Sequence, residues 1–140
     1  MRKFLEIPKR IHHAIIILSL LAGHKGKYAA SLSRISQNLK MSYGYLEHIA
    51  APLKKAGLIK SYRGSAGGYR LAKKPSDISV FDIISVLEGN MGLAACLGSG
   101  KCKAEAHCPS KKIHVKLQNE LNGALQRIKI SDFEKSLSLE

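Results

Sequence analysis

The chain has 140 residues and a formal net charge of +13, from 23 Lys and Arg against ten Asp and Glu. The composition, 45% hydrophobic and 24% charged, is typical of a globular protein with a substantial core and excludes a disordered or fibrous chain. The longest apolar run, Ala14 to Ala22, is nine residues, too short to cross a bilayer. We therefore expect a cytoplasmic protein.

The positive charge is concentrated in the first part of the sequence. Residues 1–77 carry fifteen Lys and Arg against three acids, whereas residues 78–140 carry eight against seven. A positive field confined to one region favours a polyanionic partner, and nucleic acid is the usual one. We therefore divide the chain into a nucleic-acid-binding region, 1–77, and a second region, 78–140, within one compact domain.

Apolar residues at helical spacing predict three helices in the first region. The first helix covers roughly 8–23. Ser31 is suited to cap a short second helix, and Ser42 is suited to cap a third helix that ends at Gly57. A tight turn at Lys40-Met41 joins the second and third helices.

A hairpin and two further helices follow. Two short strands, 58–63 and 69–72, flank a glycine-rich segment, which is a hairpin pattern. Ser79-Val80-Phe81-Asp82 is a capping box that opens a fourth helix. From Pro109, a longer helix is predicted by an apolar stripe that comprises Ile113, Leu117, Leu121, Leu125 and Ile128. The predicted fold class is mostly α with a small β-hairpin wing.

Two helices joined by a tight turn and followed by a hairpin form the winged helix-turn-helix. In this arrangement the second helix of the pair enters the major groove, and the wing reaches phosphates or the minor groove. The candidate contacts on the third helix, all expected to face outward, are Ser42, Tyr43, Tyr45 and His48. The candidate contacts on the hairpin are Lys60, Arg63, Gly64 and Arg70. These residues do not separate DNA from RNA, and a protein-docking winged helix also stays open.

Three cysteines, Cys96, Cys102 and Cys108, are evenly spaced in a segment without helical periodicity. An odd and clustered set is unlike a disulfide framework. Thiolates ligate iron–sulfur clusters and structural zinc, although zinc sites favour shorter spacings between their cysteines. Lys101, Lys103 and the start of the following helix are expected to lower the thiol pKa values. A cluster, redox-active free thiols and structural zinc are therefore all open.

A long sequence pattern resembles the Rrf-type transcription regulators, the family that includes the iron–sulfur sensors IscR and NsrR. The pattern lies in segments 45–48, 53–61, 63–64, 67–72, 82–84, 87–89 and 130–133. The resemblance implies a winged helix-turn-helix, a long C-terminal dimerisation helix, and a homodimer on a palindromic double-stranded DNA operator. It also implies that Glu47 helps to choose between operator classes, so Glu47 is a further candidate DNA contact.

The resemblance also implies a cofactor, because the cysteine spacing equals that of cluster-binding family members. We expect an iron–sulfur cluster, [2Fe-2S] or [4Fe-4S], at Cys96, Cys102 and Cys108. In IscR-like members a histidine three residues after the last cysteine completes the ligand set, but that position is Lys111 here. In NsrR-like members an acidic residue from the partner subunit's first helix does so, and Glu6 matches it. The expected signal is redox state, nitric oxide or iron.

Other functions compete with this hypothesis. An enzyme or electron carrier is disfavoured because the sequence has no nucleotide-binding glycine fingerprint and no paired acids in a cleft pattern. A cluster-free regulator of the same family, which uses free thiols or a small-molecule signal, is the main alternative.

Overall fold

The structure is a computed structural model that describes residues 5–89, 92–97 and 102–133. Its helices and strands are α1 (Lys9–Gly23), α2 (Leu32–Leu39), α3 (Tyr43–Lys55), β1 (Ile59–Tyr62), β2 (Gly68–Leu71), α4 (Val80–Glu88) and α5 (Lys111–Arg127). The two strands pair antiparallel as a hairpin. The prediction of a mostly α protein with a β-hairpin wing is therefore confirmed. Within the described ranges, the helices are too short or too polar to span a membrane.

Local capping explains where two of the helices begin. At the start of α3, the Ser42 hydroxyl accepts a hydrogen bond from the Tyr45 backbone N–H at 3.2 Å. At the start of α4, the Ser79 N–H donates to the Asp82 carboxylate at 2.9 Å, and the Asp82 N–H donates to the Ser79 hydroxyl at 3.1 Å. Ser31 precedes α2 as expected, but its side chain makes no capping hydrogen bond within the described part of the chain.

The turn between α2 and α3 is held by hydrogen bonds across it. Lys40 adopts the left-handed conformation, φ +51°, which costs a non-glycine residue about 1–2 kcal/mol. The Met41 N–H donates to the Ser36 carbonyl at 3.1 Å, and the Ser36 hydroxyl donates to the Met41 carbonyl. These bonds fix the angle between α3 and α2.

The apolar core lies between α1, α3 and α4. Leu18, Leu53 and Ile83 are fully buried in it. After α5 the chain returns to the core, where Ile130 is fully buried and its N–H donates to the Ile78 carbonyl at 2.9 Å. Residues on both sides of position 77 therefore share one core, and the division into regions 1–77 and 78–140 stays a prediction.

Only part of the apolar stripe on α5 packs against its own chain. Leu121 and Leu125 face α4 across a shallow cavity, whereas Ile113 and Leu117 are 62% and 53% exposed. The helix begins at Lys111, two residues later than the sequence predicts, because Pro109 and Ser110 form a turn. Burial of one large apolar side chain is worth about 1.5–3 kcal/mol, so the exposed half of the stripe favours a further contact.

Candidate nucleic-acid interface and cysteine loop

The start of α3 is exposed, as the sequence predicts for a recognition helix. Ser42, Tyr43, Glu47 and His48 are all exposed, and Tyr43 retains 49% of its accessible surface. Leu46 lies on the opposite side of the helix and is fully buried. The helix therefore presents hydroxyl, carboxylate and imidazole groups to solvent, and their contacts with DNA stay a prediction.

Tyr45 does not face outward, so the prediction that it does is wrong. Its side chain is half-buried against the core, and its hydroxyl lies 2.7 Å from Nδ1 of His13 on α1. The two rings meet edge to face with centroids 5.4 Å apart. Position 45 lies one turn before the buried Ile49, so it shares the inner face of the helix. The contact fastens α3 to α1.

The partial burial of His13 makes the stability of the protein depend on pH. Burial lowers the pKa of His13 below its ordinary value of 6.5, and the positive charges of His12 and Lys9 lower it further. Since the unfolded chain then binds this proton more readily, His13 favours unfolding at acid pH. The free energy of unfolding should be unaffected by His13 above pH 6.5 and should fall as the pH decreases through that value.

Urea denaturation of the parent protein and of His13→Gln between neutral and acid pH measures this effect. The parent should lose more stability on acidification than the variant, because only the parent has the shifted imidazole. Equal losses in the two proteins would contradict the assignment.

The hairpin forms the predicted wing. The register pairs Ile59 with Leu71 and Tyr62 with Gly68. At the tip, the Gly67 N–H donates to the Gly64 carbonyl at 2.9 Å, and Gly64 has φ +96°. Three candidate DNA contacts, Lys60, Arg63 and Gly64, are exposed on this hairpin.

A groove of about 300 Å³ separates the wing from the helices. Residues with hydroxyl groups line it from the start of α2, the start of α3 and the wing, namely Ser31, Ser33, Tyr43, Ser61, Tyr62 and Tyr69. Burial raises the pKa of Tyr69, and the neighbouring Tyr43 and Glu47 raise it further. Tyr69 on β2 and Tyr43 on α3 line this groove together. Hydroxyl groups in such a position are suited to donate to phosphate oxygens.

Arg70 is engaged within the protein. Its Nη2 atom donates to the backbone carbonyls of Gly26 at 2.7 Å and Lys27 at 2.6 Å. The side chain therefore fixes the segment between α1 and α2 beside the wing. We expected Arg70 to reach DNA phosphates, and the sequence did not predict this contact within the protein. A direct contact of Arg70 with DNA stays a prediction.

The segment that carries the three cysteines, of which residues 92–97 and 102–108 are described and which we call the cysteine loop, is attached to the first half of α5. The Leu93 N–H donates to the side-chain carbonyl of Gln118 at 2.7 Å, and α5 contacts the turn Ala95–Leu97, which contains Cys96. The three cysteine side chains form no disulfide, and each is half-buried. Residues 98–101, between the first two cysteines, lie outside the described residues.

Hydrogen bonding lowers the pKa of the Cys108 thiol. The Ser110 hydroxyl, 3.1 Å from Sγ, is the main cause, and the Ser110 backbone and Lys111 add to it. Lys103, which the sequence suggested, is not among the causes, and Lys101 lies outside the described residues. The arrangement favours the thiolate at Cys108, which is the form that ligates metals and attacks electrophiles.

His114 is a candidate ligand that the sequence reasoning missed. It lies one turn before Gln118 on α5 and therefore shares the face that contacts the cysteine loop. Its Nδ1 atom is buried and has no hydrogen-bond partner among the described residues. A buried polar atom without a hydrogen-bond partner lowers the free energy of unfolding by about 1–3 kcal/mol. Only its burial distinguishes this histidine, so no sequence signal could have found it.

The donors fit an iron–sulfur cluster by their chemistry, because thiols outside any disulfide and an imidazole nitrogen that has no hydrogen-bond partner within the described ranges are all possible ligands of iron. Across residues 5–89, 92–97 and 102–133, however, no three side chains of His, Cys, Asp or Glu are grouped so that they could hold a metal ion. Glu6 is exposed and borders an apolar groove with Leu121 and Leu125. Its contact with the partner subunit's loop stays a prediction.

A family model described as "Rrf2: Iron-dependent Transcriptional regulator" matches residues 7–135 of the chain. The chain belongs to the Rrf2 family. The regulator IscR of Vibrio atlanticus is 28% identical to it over 131 residues, which are 94% of this chain and 76% of that relative. The regulator CymR of Bacillus subtilis is 41% identical over 85 residues, 61% of this chain and 62% of CymR.

Solved structures of Rrf2 regulators have the same fold. The structure of CymR, the global cysteine regulator of B. subtilis, has a TM-score of 0.77 at 31% identity and covers 95% of this chain and 98% of that one. The structure of T. potens IscR has a TM-score of 0.73 at 36% identity and covers 94% of this chain and 87% of that one. The predicted family is confirmed.

Membership of the Rrf2 family establishes the general function. The relatives are named transcriptional regulators, so this chain is a DNA-binding transcriptional regulator and not an enzyme. The relatives include IscR and the cysteine regulator CymR, and these names do not agree on one signal.

Proposed function

We propose that this Rrf2 chain acts in the cytoplasm as a homodimer on a palindromic duplex DNA operator and holds an iron–sulfur cluster at Cys96, Cys102 and Cys108. The observation that carries the DNA part is the groove where the exposed start of α3 meets the wing, in a region with fifteen basic residues and three acids. The three half-buried thiols support the cluster. The exposed stripe on α5 supports the homodimer.

The cysteine loop and the dimer contact are linked through α5. Gln118 fastens the loop to α5, and the exposed Ile113 and Leu117 lie on the same half of that helix. When bound, the cluster supplies iron that is sensitive to oxidation and nitric oxide. A change in the loop therefore acts on the helix that sets the spacing of the two recognition helices. Half-sites on a palindrome lie about 34 Å apart and tolerate little misalignment.

Purification without oxygen tests the cofactor. The parent protein should be coloured and should contain iron and acid-labile sulfide in equal amounts, and Cys102→Ser should lose most of both. His107→Ala is a matched control, because His107 is an exposed side chain next to Cys108. A parent protein that is colourless and free of iron would contradict the cluster.

Two residues compete for the fourth ligand position, Glu6 from the resemblance and His114 from its buried nitrogen. The absorption spectrum and the cluster lifetime in air of Glu6→Ala and His114→Ala separate them. The variant that lacks the true ligand should show a shifted spectrum and a shorter lifetime, and the other should match the parent. If neither variant differs from the parent, both assignments are wrong.

A salt series with random-sequence duplex DNA tests the proposed interface. The logarithm of the binding constant should fall with the logarithm of salt concentration by about 0.9 for each phosphate contacted. Lys60→Ala and Arg63→Ala should each make this dependence shallower by about that amount. Duplex RNA should compete poorly, because its deep and narrow major groove does not admit a helix. RNA that competes as well as DNA would contradict the proposed groove contact.

A regulator that works with free thiols is the second candidate. It is favoured by the hydrogen bond from Ser110 that lowers the pKa of Cys108. In that case iron-free protein should bind DNA, and alkylation of Cys108 should change the affinity. Sensing by a cluster and sensing by free thiols would both be excluded by one result. In that result, iron-free protein binds duplex DNA with the affinity of the cluster-loaded protein, and alkylation does not change this affinity.

A further inference from the structure

The segment between α1 and α2, residues 24–30, is held beside the wing by Arg70. Two carbonyls of this basic loop, those of Gly26 and Lys27, accept hydrogen bonds from one guanidinium nitrogen, at 2.7 and 2.6 Å. The two hydrogens of this one nitrogen are enough for two neighbouring acceptors. The loop is therefore fixed to β2 by a side chain more than forty positions later in the sequence.

Two further contacts hold the basic loop. Nε2 of His24 lies 2.9 Å from the Tyr28 carbonyl oxygen. At the end of the loop, the Ala30 N–H donates to the Tyr69 carbonyl at 3.0 Å, and the Tyr69 N–H donates to the Ala30 carbonyl at 2.8 Å. Ala30 thus pairs with one edge of β2, while β1 pairs with the other. The loop forms the outer edge of the wing.

The basic loop carries positive charge and no negative charge of its own. It contains Lys25 and Lys27 and no acidic residue, and both lysines are exposed. Tyr28 is 60% exposed, and the Lys27 ammonium lies 5.9 Å from the centroid of its ring. A loop of this kind normally moves freely, so its fixation presents two cations and one phenol hydroxyl at defined positions. A group fixed in advance loses less conformational entropy when it binds.

The basic loop adjoins the proposed DNA interface. The next residue, Ser31, lines the groove between α3 and the wing. Tyr69, which pairs with Ala30, lines the same groove. The loop therefore continues this surface beyond β2, on the side of the wing away from β1.

We propose that Lys25, Lys27 and Tyr28 bind DNA phosphates beside the wing, and that Arg70 is the positioning residue for this contact. The inference rests on the proposed binding of duplex DNA to the groove. Its ligand is the phosphodiester backbone, which lysine and hydroxyl groups contact whatever the base sequence.

The Lys25→Ala/Lys27→Ala double variant of the full chain tests the contact on a random-sequence duplex over a salt series. The slope of log affinity against log salt should become shallower by about 1.8, because two phosphate contacts of about 0.9 each are lost. The matched control is Lys112→Ala/Lys116→Ala, which removes the same charge from exposed positions on α5. The control should retain the parent slope and the parent mass in sedimentation.

Arg70→Lys tests the positioning role. Lysine keeps the charge, but its ammonium lies one bond nearer to the backbone than Nη2 of arginine, so we expect it to lose the hydrogen bonds to Gly26 and Lys27. Amide hydrogen exchange at 25–30 should then accelerate, and the salt slope should become shallower. In the Lys25→Ala/Lys27→Ala background, Arg70→Lys should change the slope no further, because the two charged contacts that it positions are already absent and Tyr28 carries no charge. If Arg70 bound phosphate directly, Arg70→Lys would keep the parent slope, and the positioning role would be wrong.

The outcomes separate this inference from the proposed function. If the Lys25→Ala/Lys27→Ala protein keeps the slope of its α5 control while the parent shows a steep salt dependence, the basic loop is not a phosphate contact and the groove proposal stands. If the parent itself shows no salt-dependent binding, the groove proposal and this inference both fail.

Discussion

Gly68→Ala should lower the free energy of unfolding by about 2–3 kcal/mol. Gly68 has φ +151°, which residues with a Cβ atom rarely adopt. A Cβ at this position would lie 2.2 Å from the carbonyl oxygen of Ala30 and 2.9 Å from the Ser31 nitrogen. These are backbone atoms, so no side-chain rotation relieves the overlap. The variant must separate β2 from the basic loop.

Urea denaturation followed by circular dichroism measures this loss, and Gly44→Ala is the matched control. Gly44 lies in the first turn of α3, and an added Cβ there meets no atom of the described residues within 4 Å. Alanine favours the helix, so the control should be equal to the parent or more stable by up to about 1 kcal/mol. If Gly68→Ala and Gly44→Ala have the same midpoint of urea denaturation, the close approach of Gly68 to Ala30 is refuted.

The double variant Ile113→Glu/Leu117→Glu should convert a dimer into a monomer. Both side chains are more than half exposed on α5, and carboxylates at these positions would repel each other across a symmetric contact. Sedimentation equilibrium should change from twice the chain mass of 15.3 kDa to a single chain. Affinity for an operator should fall by about 100-fold or more, because two linked half-site contacts become independent.

Asn119→Glu/Gln126→Glu is the control for the dimer. It introduces the same charge on exposed polar positions of α5 and should leave the mass unchanged. Circular dichroism should show that both double variants keep their helices. A parent protein that sediments as a single chain at all concentrations would show that the exposed stripe is not a dimer contact.

Much of the fold could be predicted because its signals are local. The Ser79–Asp82 capping box joins residues three apart, and the structure contains both of its hydrogen bonds. The glycine-rich segment before β2 predicts the hairpin by the same kind of short-range pattern. The start of α5 was misplaced by two residues, since Pro109 is compatible with either a helix or a turn.

The candidate site was predicted less completely. Spacing identified the exposed face of α3, but Tyr45 lies on the inner face, where it contacts His13. The cysteines could be found from their spacing alone. His114 became a candidate ligand only because the structure buries its Nδ1 atom. Residue type and spacing show which groups are available, and they do not show which of these groups are already bonded within the protein.

By itself, the sequence determined the order of the elements and the family, because periodicity, caps and motifs act over a few residues. Only the tertiary structure decided that Arg70 holds the basic loop, that Tyr45 bonds to His13, and that half of the α5 stripe is uncovered. These contacts join residues distant in the chain. Their energies depend on where the packed core brings backbone carbonyls and rings together, and no local pattern records that position.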